Sequence, residues 1–162
     1  MKTGITGHQD LPKGLKLDWL DEKLSDAIRQ LKIVTCAYSS LAIGADTLFA
    51  KVIIKMQIDL IAVIPCLHYE DTFKNTDIKV YFDLISKCKS IDKLNFSAPS
   101  EVAFFTAGKH VVDSSDVLFA IWDGNKAKGL GGTGDIVEYA LLHNKKVIHL
   151  NPLSKRVIVY NQ

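Results

Sequence analysis

The sequence predicts an α/β fold in which a mostly parallel sheet of six or seven strands lies between two layers of helices. Short apolar runs rich in β-branched residues alternate with longer segments of helical period along the chain. Most of the short runs are continuously apolar, which is typical of strands covered on both faces. Alternating strands and helices imply right-handed crossovers and parallel pairing. The predicted architecture is a Rossmann-like three-layer sandwich.

The strands are predicted from the short apolar runs. Six runs form the expected sheet, and a run near the carboxyl end is a candidate for a seventh strand. In chain order they are Lys2–Thr6, Ile33–Ala37, Leu60–Pro65, Ser90–Phe96, Val117–Trp122, Val147–Leu150 and Val157–Tyr160.

The helices are predicted from apolar residues that recur at steps of three and four. Between Leu17 and Leu31 the apolar positions form one stripe with charged residues opposite, the pattern of an amphipathic helix. The segment from Ala45 to Met56 repeats this pattern. Three further helices are predicted over Thr76–Lys87, Glu101–Asp113 and Asp135–His143.

Length and composition predict a single domain over residues 1–162. Apolar residues make up 48% of the chain and charged residues 23%, which excludes a disordered chain and a charge-rich coiled coil. The formal net charge is +2. Because this charge is too small to indicate a nucleic-acid or membrane-surface protein, neither partner is expected.

The cellular compartment is predicted from missing signals. The chain begins without an apolar stretch that could act as a signal peptide, and no apolar run is long enough to cross a bilayer. Cys36, Cys66 and Cys88 show no metal or redox spacing, so we expect free thiols and a cytoplasmic protein. The five histidines are scattered, and neither a metal nor a cofactor is predicted.

The strongest functional signal is a glycine-rich turn. Five of the ten glycines lie between Gly124 and Gly134, after the strand that ends at Trp122 and Asp123. Glycines let backbone N–H groups approach a ligand, and the following helix points its positive end there. Predicted binding residues are Asp123, Gly124, Gly131, Gly132, Thr133 and Gly134. An alternative is a capping box with Asp135 as N-cap and Glu138 reaching back to its amide.

Two further loops lie at the same predicted edge, where open parallel sheets bind ligands. One carries Ser39, Ser40 and Gly44 and leads to Asp46 in the first turn of a helix, where the helix dipole favours an acid. The other carries Thr6, Gly7 and His8 at the end of the first strand. The alternatives are a loop with an acidic helix start and a structural turn. The fingerprints of phosphate-loop NTPases, dinucleotide-binding domains and nucleophile elbows do not occur.

Taken together, these motifs resemble the SLOG superfamily. The matching features are a first strand ending Thr-Gly-His, the run Ser-x-Leu-Ala-x-Gly-Ala-Asp, and a Gly-Gly-Thr turn with Glu on the next helix. The superfamily includes DNA-processing A (Smf-like) domains, molybdenum-cofactor carrier-like proteins and the Lonely guy enzymes. The resemblance runs from Gly4 to about Pro152. It implies a Rossmann-like domain that binds a nucleotide or a ribosyl-phosphate derivative, and it also implies a homodimer.

The chain departs from the Lonely guy motif at two points. The motif's glycines and glutamate fall on Gly131, Gly132, Gly134 and Glu138, but its threonine is Asp135 here, which places a negative charge beside a phosphate. The hydrolases also carry an arginine on the preceding helix, where this chain has no arginine. The resemblance therefore favours nucleotide binding over hydrolysis.

Three functions follow from these observations. The first is binding of a small nucleotide or nucleotide derivative, as a carrier, sensor or processing protein. The second is an N-glycosidic hydrolase or ribosyltransferase, in which Glu138 is the key carboxylate and Asp46 or Asp123 its partner. The third is DNA binding, which the low net charge and scattered lysines argue against.

Overall fold

The computed structural model describes residues 1–11, 17–74, 76–126 and 129–160, and it contains one seven-stranded sheet with helices on both faces. The strands are β1 (Lys2–Gly7), β2 (Cys36–Ser39), β3 (Asp59–Ile64), β4 (Ser90–Lys93), β5 (Val117–Ile121), β6 (Lys146–Asn151) and β7 (Arg156–Tyr160). The helices are α1 (Leu17–Gln30), α2 (Ala45–Lys55), α3 (Thr76–Ser86), α4 (Glu101–Asp113) and α5 (Thr133–Leu142), with a 3-10 turn at Tyr69–Thr72.

The strand order is β4-β3-β2-β1-β5-β6-β7, and every pair is parallel except β6 with β7. The predicted Rossmann-like, mostly parallel sheet is therefore confirmed. Only four residues join β6 to β7, too few for a crossover, so the last strand returns antiparallel.

The second strand begins later than predicted. Its pairing starts at Cys36, which lies opposite both Lys2 and Asp59, and continues to Ser39. Ile33 belongs to the connection from α1 and is 84% exposed. The apolar run of Ile33 and Val34 thus precedes the strand, because backbone pairing with both neighbours sets where a strand begins.

The apolar core lies on both faces of the sheet. Helices α1, α2 and α3 cover one face, where Phe49 packs against Phe119 with ring centroids 5.8 Å apart. Helices α4 and α5 cover the other face through residues such as Val111 and Ile136. Strand β5 lies next to the central strand, β1, and is buried at all of its positions. None of the helices within the described ranges has the length and apolar character that a membrane span requires.

The sheet order determines where a ligand site is expected. From β1 the chain builds outward through β2, β3 and β4, and then returns to the other side of β1 with β5. The loops after β1 and β5 therefore leave in opposite directions and open a crevice at the carboxyl edge of the sheet.

Candidate functional site

A cavity of about 1180 Å³ opens at this crevice. It is bordered by the loops that follow β1, β2, β3, β5 and β6 and by residues of α2, α3, α4 and α5. Ten of the fourteen residues predicted from the sequence line it. They are Thr6, Gly7, His8, Ser40, Asp46, Asp123, Gly131, Gly132, Thr133 and Gly134. The three sequence motifs therefore meet in one place.

The other four predicted residues do not line the cavity. Ser39 is fully buried and hydrogen-bonds to Asp46. Gly44 packs against the loop that follows β1, and Gly124 lies outside the lining. Glu138 is exposed on α5, whose buried residues lie on the opposite side of the helix. The structure does not bring Glu138 together with Asp46 or Asp123.

The Asp46 carboxylate organises the loop after β2. Its Oδ2 atom accepts hydrogen bonds from the Ser39 hydroxyl and the Ser40 amide, both at 3.0 Å. The Ser39 oxygen in turn accepts from the Leu41 amide at 3.0 Å. Burial raises the pKa of Asp46 to about 7, although the hydrogen bonds from Ser39 and the loop amides act in the opposite direction. Asp46 therefore holds the loop and also faces the cavity.

The loop after β1 is fixed to the start of α2. The Ala45 amide, the first of that helix, donates to the His8 carbonyl at 3.0 Å, and the His8 amide donates to the carbonyl of Ile121 at 3.0 Å. Gly44 precedes this contact with φ of +79°. The His8 carbonyl thus partly caps the amino end of α2. The same hydrogen bonds hold the loop after β1 at the crevice.

His8 and Asp123 form a polar pair across the crevice. The His8 Nε2 atom lies 3.2 Å from Asp123 Oδ1 and 3.4 Å from the Asp123 amide nitrogen. Both side chains are partly exposed. Partial burial raises the pKa of Asp123, but hydrogen bonds from the backbone and side chain of Asn125 and from His8 outweigh it, and the net effect lowers the pKa.

The glycine-rich turn differs from the capping-box alternative. Helix α5 begins at Thr133, and Gly132 is its N-cap with no side-chain cap. Asp135 is therefore inside the helix, so its assignment as N-cap is wrong. Its Oδ2 atom instead accepts from the Gly131 amide at 3.0 Å. Glu138 makes no hydrogen bond back to Asp135 within the described part of the chain.

Two amides at this turn are available to a ligand. Within the described residues, the N–H groups of Thr133 and Gly134 have no acceptor, and the Thr133 hydroxyl has no hydrogen-bond partner. Thr133 is nevertheless only 9% exposed, and it lines the cavity. The first N–H groups of a helix point out of its amino end along the axis and carry partial positive charge. This turn therefore has the donors that an anion requires.

An aromatic wall, Tyr69, Phe73 and Phe104, also lines the cavity, and no sequence motif indicated it. Tyr69 lies edge-to-face against Phe73, with ring centroids 5.1 Å apart, and its centroid is 6.1 Å from that of Phe104. Phe73 stacks on Tyr81 at 4.6 Å. The concentration of aromatic residues between positions 69 and 82 was the available signal.

The charged residues of the lining are mostly acidic. The described lining includes two lysines, Lys74 and Lys126, against five carboxyl groups. These are Asp10, Asp46, Asp77, Glu101 and Asp123. No group of three or more His, Cys, Asp or Glu side chains in the described ranges is placed to hold a metal ion.

Similarity to solved structures is clear at the level of the fold. The chain is similar to DNA processing protein A (DprA) from Streptococcus pneumoniae, at 18% identity and TM-score 0.63, over 91% of this chain and 49% of that one. It is similar to DprA from Helicobacter pylori, at 14% identity and TM-score 0.65, over 95% of this chain and 70% of that one. The chain thus spans about half the length of the pneumococcal protein.

A third solved structure, TM1055, matches at 13% identity and TM-score 0.55, over 92% of this chain and 73% of that one. Together the three structures confirm the predicted Rossmann-like fold. No family model matches the chain, and no curated protein matches it significantly.

One expectation about partners needs correction. From the low net charge we expected that a nucleic-acid partner was unlikely, but the H. pylori protein binds single-stranded DNA, and its fold matches this chain almost throughout. The expectation was wrong because it relied on net charge. A site built from backbone amides and aromatic rings contributes nothing to net charge, so a balance of +2 does not exclude nucleic acid.

Proposed function

We propose that this chain binds a nucleotide unit, either free or within a nucleic acid, in the cavity at the carboxyl edge of the sheet. The phosphate group lies on the amides of Thr133 and Gly134, and the base lies against the aromatic wall. The His8–Asp123 pair borders the same cavity and offers hydrogen bonds to the sugar.

The observation that carries this proposal is the pair of unpartnered amides at the start of α5. The first N–H groups of a helix have no partner within the helix, and here two of them face the cavity together with the Thr133 hydroxyl, without an acceptor among the described residues. A phosphate oxygen is the acceptor that helix starts in α/β folds commonly bind. The position of these donors beside the β1–β5 crevice supports the same ligand class.

The proposed function is binding and not glycosidic hydrolysis. Hydrolysis of this kind requires two carboxyl groups flanking the scissile bond. Glu138, the expected acid, is exposed and outside the cavity, and Asp46 is engaged with Ser39 and Ser40. The residues that do line the cavity support recognition of phosphate and base.

The proposal is tested by titrating the protein with nucleotides in a calorimeter. The probes are the nucleoside 5′-monophosphates, their 3′,5′-cyclic forms and the four dinucleoside monophosphates with two identical bases, each at concentrations up to a few millimolar. We expect binding of at least one probe. Absence of binding by every probe, and by the oligonucleotide named below, would contradict the proposed function.

The key variant is Thr133→Pro, which we expect to abolish measurable binding. Proline removes both the amide and the hydroxyl, yet it is well tolerated as the first residue of a helix. Gly132 has φ −66° and ψ 166°, the conformation that a residue before proline prefers. The variant should therefore melt within a few degrees of the wild type. Thr133→Ser keeps both donors and should bind normally; equal loss in both variants would contradict the amide site.

Single-stranded DNA is a second candidate, favoured by the DprA similarity. If DNA is the ligand, a twelve-residue oligothymidylate should bind much more tightly than the dinucleotide TpT, and its affinity should fall steeply with salt as counterions are released. A small-molecule site would bind both with similar affinity. Thr133→Pro should weaken binding in either case, since both ligands present a phosphate to the same amides.

A further inference from the structure

Asp135 occupies one of the donors of the glycine-rich turn. Its carboxylate accepts the Gly131 amide at 3.0 Å, and Gly131 has φ of +81°, which turns the loop back toward the helix. A side chain at Gly131 would meet Phe105 at 2.9 Å, so the turn lies tightly against α4. The chain thus holds a negative charge on the glycine-rich turn, next in sequence to the lining residues although Asp135 itself does not line the cavity.

A second carboxylate lies beside the same turn. The Glu101 Oε1 atom is 3.1 Å from the position that a Cβ atom on Gly129 would take. Asp10 and Asp77 also line the cavity, and among the described lining residues only Lys74 and Lys126 are lysines. His8 is paired with Asp123. The surroundings of the turn therefore oppose a ligand group that carries high negative charge.

The donors left for a phosphate are neutral. They are the amides of Thr133 and Gly134, together with the hydroxyl of Thr133, a residue that is 9% exposed and lines the cavity. Dipoles of this kind stabilise one negative charge well. A second charge on the same group doubles both the attraction to these dipoles and the repulsion from Asp135 and Glu101, whereas the cost of removing the group from water grows with the square of its charge.

We infer that the phosphate accepted at this site carries a single negative charge, as a phosphodiester does, and that Asp135 is the residue that excludes the doubly charged phosphomonoester. This inference rests on the proposed function and narrows its ligand class. Phosphodiesters occur both in small cyclic or dinucleotide ligands and in single-stranded DNA, which share the chemistry recognised here. The comparison of TpT with the oligonucleotide distinguishes these two sources.

The direct test uses matched ligands that differ by one negative charge and one methyl group. Each nucleoside 5′-monophosphate is compared at pH 8 with its 5′-methyl phosphate ester, because the monoester is then a dianion and the methyl ester a monoanion. We expect the affinity for the methyl ester to be at least about tenfold higher than the affinity for the monoester. If the wild-type protein bound the two ligands equally, or bound the monoester more tightly, this measurement would overturn the inference without any variant.

The variant Asp135→Asn tests the assigned residue. The Asn side-chain oxygen can still accept from the Gly131 amide, so the turn is preserved while the charge is removed. We expect the monoester to gain about tenfold in affinity and the methyl ester to change little. The matched control is Glu138→Gln, which also removes one negative charge, but from the exposed side of the same helix. It should leave the ratio of the monoester and methyl-ester affinities unchanged.

The possible results separate the two proposals. The role of Asp135 would be overturned if Asp135→Asn left the ratio of monoester affinity to methyl-ester affinity unchanged. It would also be overturned if Glu138→Gln changed this affinity ratio by the same factor. Nucleotide binding would stand in both cases. Failure of every monoester, diester and oligonucleotide to bind the wild-type protein would instead overturn the proposed function. Both proposals are supported if the wild type binds the methyl ester more tightly than the monoester and if this difference in affinity becomes smaller only in Asp135→Asn.

Discussion

Replacing Gly44 by alanine should lower the free energy of unfolding by at least about 3 kcal/mol. Gly44 has φ +79° and ψ −118°, a conformation that L side chains rarely adopt. A Cβ atom there would also lie 2.2 Å from the Gln9 carbonyl oxygen and 2.5 Å from that of His8. Both obstacles are backbone atoms, so rotating a side chain cannot relieve the overlap. The loop after β1 would have to move away from α2.

Gly124→Ala is the matched control for this substitution. Gly124 also has positive φ, +93°, but among the described residues a Cβ atom there would meet only the Asn151 side chain, at 3.9 Å. The control therefore measures backbone strain without overlap, a cost of about 1 to 2 kcal/mol. Urea unfolding of both variants gives the two values. A loss at Gly44 no larger than that at Gly124 would contradict the close packing of the β1 loop on α2.

Most of the fold could be predicted from the sequence because strand and helix periods are local properties. The apolar runs fixed strands such as β5, which pairs on both sides and is buried throughout. The start of β2 could not be predicted in this way. Ile33 and Val34 resemble a strand, but Thr35 donates to the Met1 carbonyl and the ladder begins only at Cys36. Register between distant segments decides such boundaries.

The glycine-rich turn at the start of α5 was also predictable, since glycines before an amphipathic helix have a specific structural meaning. The roles of the acids on that helix were not. Starting α5 at Thr133 makes Asp135 the residue that folds back to Gly131. Glu138 was assigned from a resemblance, but the apolar residues Ile136, Val137 and Ala140 already place it on the exposed side. Periodicity was the better guide to where this side chain lies.

The charge of the cavity could not be obtained from composition. A net charge of +2 summarises the whole chain, whereas the described lining holds five carboxyl groups and two lysines. These residues come from separate loops and helix starts that only the fold brings together. The same reason explains why the aromatic wall escaped notice, because Phe104 lies on α4 and far along the chain from Tyr69.

The stability of the protein should depend on pH through Asp46. Its pKa is raised by burial to about 7 in the folded chain, whereas an exposed aspartate in the unfolded chain titrates near 3.9. Below about pH 4 the group is protonated in both states. As pH rises toward 7 the unfolded chain releases this proton while the folded chain retains it, so the stability contributed by Asp46 is lost across that window.

The variant Asp46→Asn isolates this contribution, because Asn imitates the protonated carboxyl group and does not titrate. The stability of Asp46→Asn relative to the wild type should increase by about 2 to 4 kcal/mol between pH 4 and pH 8. Urea unfolding at intervals of one pH unit measures this difference, and the subtraction cancels the titration of the other carboxyl groups. Asp46→Ala should be less stable than Asp46→Asn by about 1 to 3 kcal/mol, since it leaves the Ser39 hydroxyl and Ser40 amide without their acceptor.

The result also bears on what the cavity can bind. If the difference between Asp46→Asn and the wild type grows with pH as expected, Asp46 is largely protonated below pH 7 and adds little to the negative charge that faces a phosphate. If the difference is constant from pH 4 to pH 8, the hydrogen bonds from Ser39 and Ser40 outweigh burial and Asp46 is ionised throughout. The cavity would then repel anions more strongly, and nucleotide affinity should rise in Asp46→Asn at neutral pH. The pH dependence of stability and the nucleotide affinity of Asp46→Asn must therefore indicate the same protonation state of Asp46.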